Sequence, residues 1–222
     1  MSEINGVLCD LDGTLVDTER LHLRAWTETA AHYGFPFPDG WEENYLGRPD
    51  SELAAFCTAE YADAPDAATL LKERDRRYRE ILRECGAGIA YPGVREGLER
   101  LSLLKAKMAV CTNSPLENTT VALSHAGIEG FFPVIVAFGM AKKGKPAPDM
   151  YLMAVERLGL VPGACLVIED SAVGIRAGVA AGCTVLGVCN SYAADGLLEA
   201  GASRAFRTTA EALAWVADAG LK

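Results

Sequence analysis

No apolar run in this chain is long enough to cross a bilayer. The most apolar stretch, Phe131–Ala141, is about half the ~20 residues a spanning helix needs, and Pro133 and Gly139 interrupt it. The N-terminus, MSEINGVLCD, has no basic stretch followed by an apolar one, so neither a signal peptide nor a membrane partner is expected. Positive charge is scarce: Lys plus Arg total 21 against 30 Asp plus Glu, a formal net charge of −9. A phosphate backbone rewards clustered cations, so nucleic acid is not an expected partner. There is no CxxC pair, and the seven cysteines are odd in number. Cys9, Cys111, Cys165 and Cys189 lie in or beside apolar runs, where small buried thiols are common. A disulfide framework is therefore not expected, and a reducing, cytoplasmic setting is. Repeats and low-complexity segments are also lacking. What remains is a chain of 222 residues, 50% hydrophobic and 23% charged, ordinary for a globular protein and too apolar for disorder. The length suits one large domain, or one domain with a smaller insert.

Short apolar runs recur at Gly6–Cys9, Met108–Cys111, Val134–Ala137, Cys165–Ile168 and Thr184–Val188. They read as parallel strands buried on both faces. Stretches with helical spacing lie between most of them, such as Val94, Leu98, Leu101 and Leu104, or Tyr151, Leu152, Val155 and Leu158. Alternating strand and helix predicts an α/β fold with a Rossmann-like parallel sheet. The alternation fails from Val16 to about Tyr91, where helical patterns cover Thr18–Tyr33, Ser51–Tyr61 and Pro65–Glu84. Pro36, Pro38, Gly40 and Pro65 mark the breaks. The expected organisation is a core of residues 1–15 and 89–222, interrupted by an α-helical insert of residues 16–88. The segment Thr208–Ala219 reads as a final packing helix.

Ligands of open α/β sheets bind beyond the carboxyl ends of the strands. The first strand ends there in Asp10-Leu11-Asp12-Gly13-Thr14, two carboxylates one residue apart. Such a pair repels itself unless a cation intervenes, although Asp and Gly also favour plain turns. A second acidic pair, Glu169-Asp170, ends the strand at Cys165–Ile168. Together the pairs make a good oxygen-ligand site for Mg2+; Ser171 or Asp170 can alternatively cap the next helix. A third strand end runs into Thr112-Asn113-Ser114-Pro115, where a hydroxyl and backbone N–H groups can hold an anion. A Ser114 N-cap with Pro115 at the first helical position is compatible with that role. Lys145 sits between Gly144 and Pro146, which implies a defined backbone position. The stretch Gly139–Lys145 matches most of a P-loop, but Pro146 stands where its Ser or Thr would bind metal.

Taken together, these residues resemble the haloacid dehalogenase superfamily of phosphohydrolases. The matching strings are DLDGTLVDTE (Asp10–Glu19), the strand leading to Thr112, Lys145 in GKPAPD, and IEDS (Ile168–Ser171). The resemblance covers the whole chain and points to the sugar-phosphate phosphatase and β-phosphoglucomutase branch, in which the helical insert is a small cap closing over the strand ends. It implies Asp10 as nucleophile and Asp12 as general acid and base. Thr112, Asn113 and Lys145 would bind the phosphoryl oxygens. Mg2+ would be held by Asp10, the Asp12 carbonyl and Asp170, with Glu169 a ligand or a neighbour of one. The expected activity is Mg2+-dependent hydrolysis of a small phosphorylated metabolite, a sugar or polyol phosphate, by a monomer or weak dimer.

The dehalogenase branch lacks an acid at the Asp12 position. Phosphonate-cleaving relatives need a cap lysine, and Lys72, the insert's only lysine, lies in a charged run, Lys72–Arg79, that reads as a solvated face. Ion-pumping relatives need membrane helices. A mutase remains the alternative, because His22, Arg24, Ala25 and Trp26 resemble its cap string HxRAW. Arg74 falls near a substrate-binding lysine of the mutase, and Gly47 and Arg48 lie in the counterpart of its specificity loop. His22, Gly47, Arg48 and Arg74 are thus the expected substrate-selecting residues, though His22 also reads as a helix residue stacked near Trp26. A non-catalytic phosphate-binding module would not need Asp10, Asp12, Lys145 and Asp170 together.

Overall fold

The computed structural model describes residues 4–38, 40–42, 50–85 and 88–219. It falls into two compact units, Met1–Asp17 with Ala87–Lys222, and Thr18–Gly86. Val16 belongs to the first of these. It bridges both Asp12 and Ala90, which moves the junction slightly inward from the expected residue 16.

The larger unit is built on a six-stranded sheet. Its strands are β1 (Gly6–Cys9), β2 (Lys107–Cys111), β3 (Val134–Val136), β4 (Cys165–Glu169), β5 (Thr184–Val188) and β6 (Arg204–Phe206). Their order is β3-β2-β1-β4-β5-β6, and every pairing is parallel. β1 and β4 are buried along their whole length, and β2 and β5 at all but the first residue. That explains their near-continuous apolar sequences. Leu8 of β1 lies opposite Ala109 on one side and Val167 on the other. The sheet order reverses direction at β1, so a crevice opens beyond the carboxyl ends of β1 and its neighbours, where the acidic strings begin. The sequence reading missed β6. It is a three-residue edge strand opening with an exposed Arg204, too short to form an apolar run.

The first three helices of the chain belong to the smaller unit, so labels follow the chain: α1 (Glu19–Tyr33), α2 (Asp50–Glu60), α3 (Ala67–Cys85), α4 (Val94–Leu103), α5 (Leu116–His125), α6 (Asp149–Arg157), α7 (Ala172–Ala180), α8 (Ala194–Glu199) and α9 (Thr209–Ala219). α6 and α7 cover the sheet through Tyr151, Ala154, Val155, Ile175 and Ala177, which share a core with Leu8, Ala109 and Val167. α9 buries Leu213, while Trp215 meets Phe206 and the Arg204 guanidinium.

In the smaller unit, α1, α2 and α3 enclose Trp26, Ala30, Leu53, Ala54, Cys57 and Leu70. Gly34 ends α1 at φ 79°, where its N–H reaches the Ala30 and Ala31 carbonyls. The charged run of α3 is two-faced. Glu73 pairs with Arg76 and Arg77 at 2.6 and 2.9 Å toward solvent. Leu70, Arg74, Tyr78 and Leu82, spaced by fours, form a buried stripe. The expectation of a wholly solvated run is corrected at Arg74, which is 2% exposed.

Candidate active site

β1 ends in Cys9, and the Asp10 N–H continues its ladder by donating to the Ile168 carbonyl at 3.0 Å. The chain then folds tightly: the Leu15 and Val16 N–H groups return to the Leu11 carbonyl at 2.8 and 3.1 Å. Gly13 lies at φ 79°, and a Cβ there would meet Asp170 Oδ2 at 2.2 Å, so only glycine fits. This turn brings the first acidic string against the second.

Asp10, Glu169 and Asp170 converge, with carboxylate oxygens within 4.8 Å of one another. Lys145 Nζ enters the cluster, bonding Asp10 Oδ1 and Glu169 Oε1, the latter at 2.6 Å. All four residues are buried. Burial, together with Glu169 and Asp170, pushes the Asp10 carboxyl well above its ordinary range against the opposing pull of Lys145. Burial works against the charge of Lys145, but Asp10 and Glu169 outweigh it and hold the ammonium above the usual lysine range. Three carboxylates therefore share one ammonium among the described residues. That imbalance, and the all-oxygen donor set, fit a hard divalent cation.

The remaining core residues orient this cluster. Asp170 accepts from Thr14 Oγ1 at 3.1 Å and from Ser191 Oγ at 2.5 Å. Asn190 ties Gly13 to Thr209 with bonds of 2.9 Å each. Asp12 Oδ2 accepts from Ser114 Oγ at 2.7 Å and lies 3.4 Å from the Thr112 hydroxyl. Ser114 is therefore not the side-chain cap of α5; the helix begins after Pro115 without one, and the hydroxyl turns to Asp12 instead. Ser171 does cap α7, accepting from the Gly174 N–H at 3.1 Å. The Asn113 side chain holds the backbone of Lys145, with Oδ1 accepting from its N–H at 3.1 Å and Nδ2 donating to its carbonyl at 3.4 Å. The Lys145–Pro146 peptide is cis.

Asp10, Asp12, Thr112, Asn113, Lys145, Glu169 and Asp170 are thus brought together at the strand ends. Sequence reasoning overlooked Thr14, Ser191 and Tyr151. Ser191 follows the end of β5, so the strand-end rule that found Asp170 could have found it too.

His22 and Arg74 meet within the smaller unit. Arg74 Nη2 donates to His22 Nδ1 at 2.5 Å and pairs with Asp50 at 2.8 Å, while Nη1 pairs with Asp75 at 2.8 Å. His22 stacks on Tyr78, with centroids 4.1 Å apart, rather than on Trp26. Trp26 Nε1 instead donates to Asp50 at 2.7 Å. Gly47 and Arg48 lie outside the described residues.

Acidic strand ends, an intruding lysine and hydroxyls therefore meet on a Rossmann-like sheet, an arrangement able to hold a cation and an anion together. The family model for haloacid dehalogenase-like hydrolases matches residues 4–182. The phosphorylated carbohydrates phosphatase of Thermotoga maritima is 35% identical over 207 residues, covering 90% of this chain and 92% of that protein. The β-phosphoglucomutase of Bacillus subtilis is 30% identical over 191 residues, covering 83% of each. Among solved structures, CbbY from Rhodobacter sphaeroides in complex with phosphate superposes with a TM-score of 0.80 at 27% identity, covering 94% of this chain and 96% of that one. The chain belongs to the haloacid dehalogenase-like hydrolases. It is an enzyme of the phosphatase class, in the branch that also holds β-phosphoglucomutase. Among the described residues, no helix is long and apolar enough to cross a membrane.

Proposed function

We propose that the protein hydrolyses a small phosphate monoester, a sugar or polyol phosphate, through an aspartyl-phosphate on Asp10. The observation that carries this reading is the convergence of Asp10, Glu169 and Asp170 around the single ammonium of Lys145. In this reading an Asp10 carboxylate oxygen attacks phosphorus and the ester P–O bond breaks. Asp12 gives its proton to the departing oxygen, then takes one from the water that cleaves the acyl phosphate. Lys145, the Thr112 hydroxyl and the Asn113 N–H neutralise and orient the transferring oxygens. Mg2+, held by Asp10, Asp170 and the Asp12 carbonyl, would supply charge neutralisation between nucleophile and substrate. It would also keep Asp10 anionic despite its buried, negative surroundings. His22 and Arg48 would select the organic part of the substrate. Arg74 supports that selection indirectly, since Asp50, Asp75 and His22 already engage its terminal nitrogens.

The test is phosphate release from a panel of sugar, polyol and glycolate phosphates, with Mg2+ or EDTA, in the wild type and Asp10→Asn. Release that requires Mg2+ and vanishes in the variant supports the reading. Release that persists in Asp10→Asn overturns it. The string at His22, Arg24, Ala25 and Trp26, with the similarity to the Bacillus subtilis mutase, favours one second reading, a sugar phosphate mutase. Formation of the 6-phosphate isomer from β-glucose 1-phosphate with a bisphosphate primer, without net phosphate release, would establish it.

A further inference from the structure

Glu169 differs from the other two carboxylates of the cluster in how its oxygens are engaged. Oε1 accepts from Lys145 Nζ at 2.6 Å and from the Tyr151 hydroxyl at 2.8 Å. Oε2 accepts from the Ser171 N–H at 3.2 Å and from Ser171 Oγ at 3.0 Å. A carboxylate has about four lone-pair sites, so these four donors fill it. Glu169 is also completely buried and pressed against the backbone at Gly174.

Tyr151 touches the lysine in two ways. Its hydroxyl shares the Glu169 oxygen that holds the ammonium, and Lys145 Nζ lies 5.1 Å from the centre of its ring, within cation–π range. The hydroxyl faces an acceptor-only carboxylate, so it must be the donor. Tyr151 is itself completely buried, on the first turn of α6. Its ring is therefore packed beside the ammonium.

We propose that Tyr151 is a positioning residue that fixes the Lys145 ammonium through Glu169, and that Glu169 is the anchor of this tether rather than a ligand of the metal. The inference deepens the phosphatase reading and rests on it for the role of Lys145. The tether has a kinetic consequence. Lys145 is useful only if its ammonium meets the phosphoryl oxygens as their charge builds, and misplacement costs rate more than it costs ground-state binding. Removing the Tyr151 hydroxyl frees one lone pair on Oε1 and lets the Lys145–Glu169 pair shift without emptying the site.

The experiment compares Tyr151→Phe and Glu169→Gln with the wild type by three readouts. These are phosphate-release kinetics, calorimetric titration of Mg2+ alone, and calorimetric titration of tungstate, a tetrahedral oxyanion, in saturating Mg2+. Tyr151→Phe is expected to lower kcat about tenfold, the order of one buried hydrogen bond, with KM and the Mg2+ Kd within about twofold of wild type. Tungstate should bind about five- to tenfold more weakly in both variants. Unchanged kcat and tungstate affinity in Tyr151→Phe would overturn the tether. A Mg2+ Kd raised about tenfold or more in Glu169→Gln would make Glu169 a metal ligand and overturn the second half. If Glu169→Gln does not fold, the conservative Tyr151→Phe still decides. If the wild type releases no phosphate from the panel, the phosphatase reading fails separately, and the tungstate and Mg2+ titrations judge the tether by themselves.

Discussion

Gly174→Ala adds one methyl group at a residue with no part in the proposed chemistry, and should disable the site. A Cβ at this position would lie 1.6 Å from Glu169 Oε1, 1.9 Å from its Cδ and 2.3 Å from Oε2. Ordinary contact lies near 3.5 Å, so carboxylate and helix must part by roughly 2 Å. Neither yields readily. Lys145, Tyr151 and Ser171 hold the carboxylate. α7 is seated on the sheet further along, where Gly178 approaches so closely that a Cβ would meet Val185 at 2.8 Å and Val167 at 3.3 Å. Overpacking of this kind costs about 1–3 kcal/mol, and an ~1 Å displacement of a catalytic group costs about a hundredfold in rate. The expected result is a kcat at least about a hundredfold below wild type, with a lower Tm. The sign of the stability change is diagnostic, because Gly→Ala inside a helix otherwise gains about 1 kcal/mol. Gly196→Ala in α8, where a new Cβ meets nothing within 4 Å, should show that gain and full activity. Chromogenic aryl phosphate turnover and thermal melts read both variants. If Gly174→Ala keeps kcat within about threefold and melts no lower than wild type, the seating of Glu169 against α7 is refuted.

Asp10→Asn removes one of three mutually repelling buried carboxylates, so the metal-free protein should melt a few degrees higher than wild type, about 2–4 °C per kcal/mol for this size. Its Mg2+-induced shift should shrink, and a lower metal-free Tm would contradict net repulsion at Asp10. Native alkylation at pH 8, read by peptide mass spectrometry, should modify the exposed Cys85 first and the partly buried Cys189 next. Burial pushes the thiols of Cys57 and Cys165 up to about 11 and those of Cys9 and Cys183 up to about 12. Their thiolate fractions are then only ~10^-4 to ~10^-3, and labelling them as fast as Cys85 would refute the packing. Glu73, bonded to Arg76 and Arg77, titrates at about 2 instead of 4.5. Its folded-state pKa is depressed, so its stabilising contribution is complete above pH 4.5 and is lost as pH falls toward 2. The Tm difference between wild type and Glu73→Gln should therefore be present at pH 6 and shrink below pH 4.5; a difference independent of pH would exclude the ion pairs as its cause.

The parallel strands were legible because burial on both faces leaves a continuous apolar run, as in Val7-Leu8-Cys9 and Leu166-Val167-Ile168. β6 was not, since a three-residue edge strand is defined by its pairing with β5, Leu186 opposite Arg204, and pairing is not a local property. The convergence of Asp10, Glu169 and Asp170 could be read from the sequence because strand ends are where ligands bind and clustered acids there are costly without a cation. The groups that orient them could not. Ser114, Ser191 and Tyr151 each carry an ordinary local explanation, as a cap, a loop residue and a core aromatic, and only the fold turns their hydroxyls toward Asp12, Asp170 and Glu169. Arg74 shows the opposite case. The charged run Lys72–Arg79 reads as a solvated face, whereas the spacing of Arg74 by fours from Leu70, Tyr78 and Leu82 marks a buried stripe.

Glu169 and Asp170 are adjacent in sequence, identical in charge and both buried, yet their donors divide them. Glu169 is met by an ammonium on one oxygen and by the cap of α7 on the other. Its charge is balanced within the protein and its geometry fixed by the helix. Asp170 is met by the hydroxyls of Thr14 and Ser191, which orient a carboxylate without neutralising it. The split falls where β4 ends, since Glu169 is its last residue and Asp170 lies in the bend that follows. Glu169 is engaged by Tyr151 of α6 and by Ser171 at the start of α7, and Asp170 by Thr14 of the turn after β1, while both carboxylates lie close to Asp10. A buried, like-charged pair is a local violation of stability rules, and such violations concentrate at functional sites. Here it concerns Asp10 and Asp170, and the one ammonium that enters the cluster is divided between Asp10 and Glu169, which is the imbalance that the proposed Mg2+ would relieve.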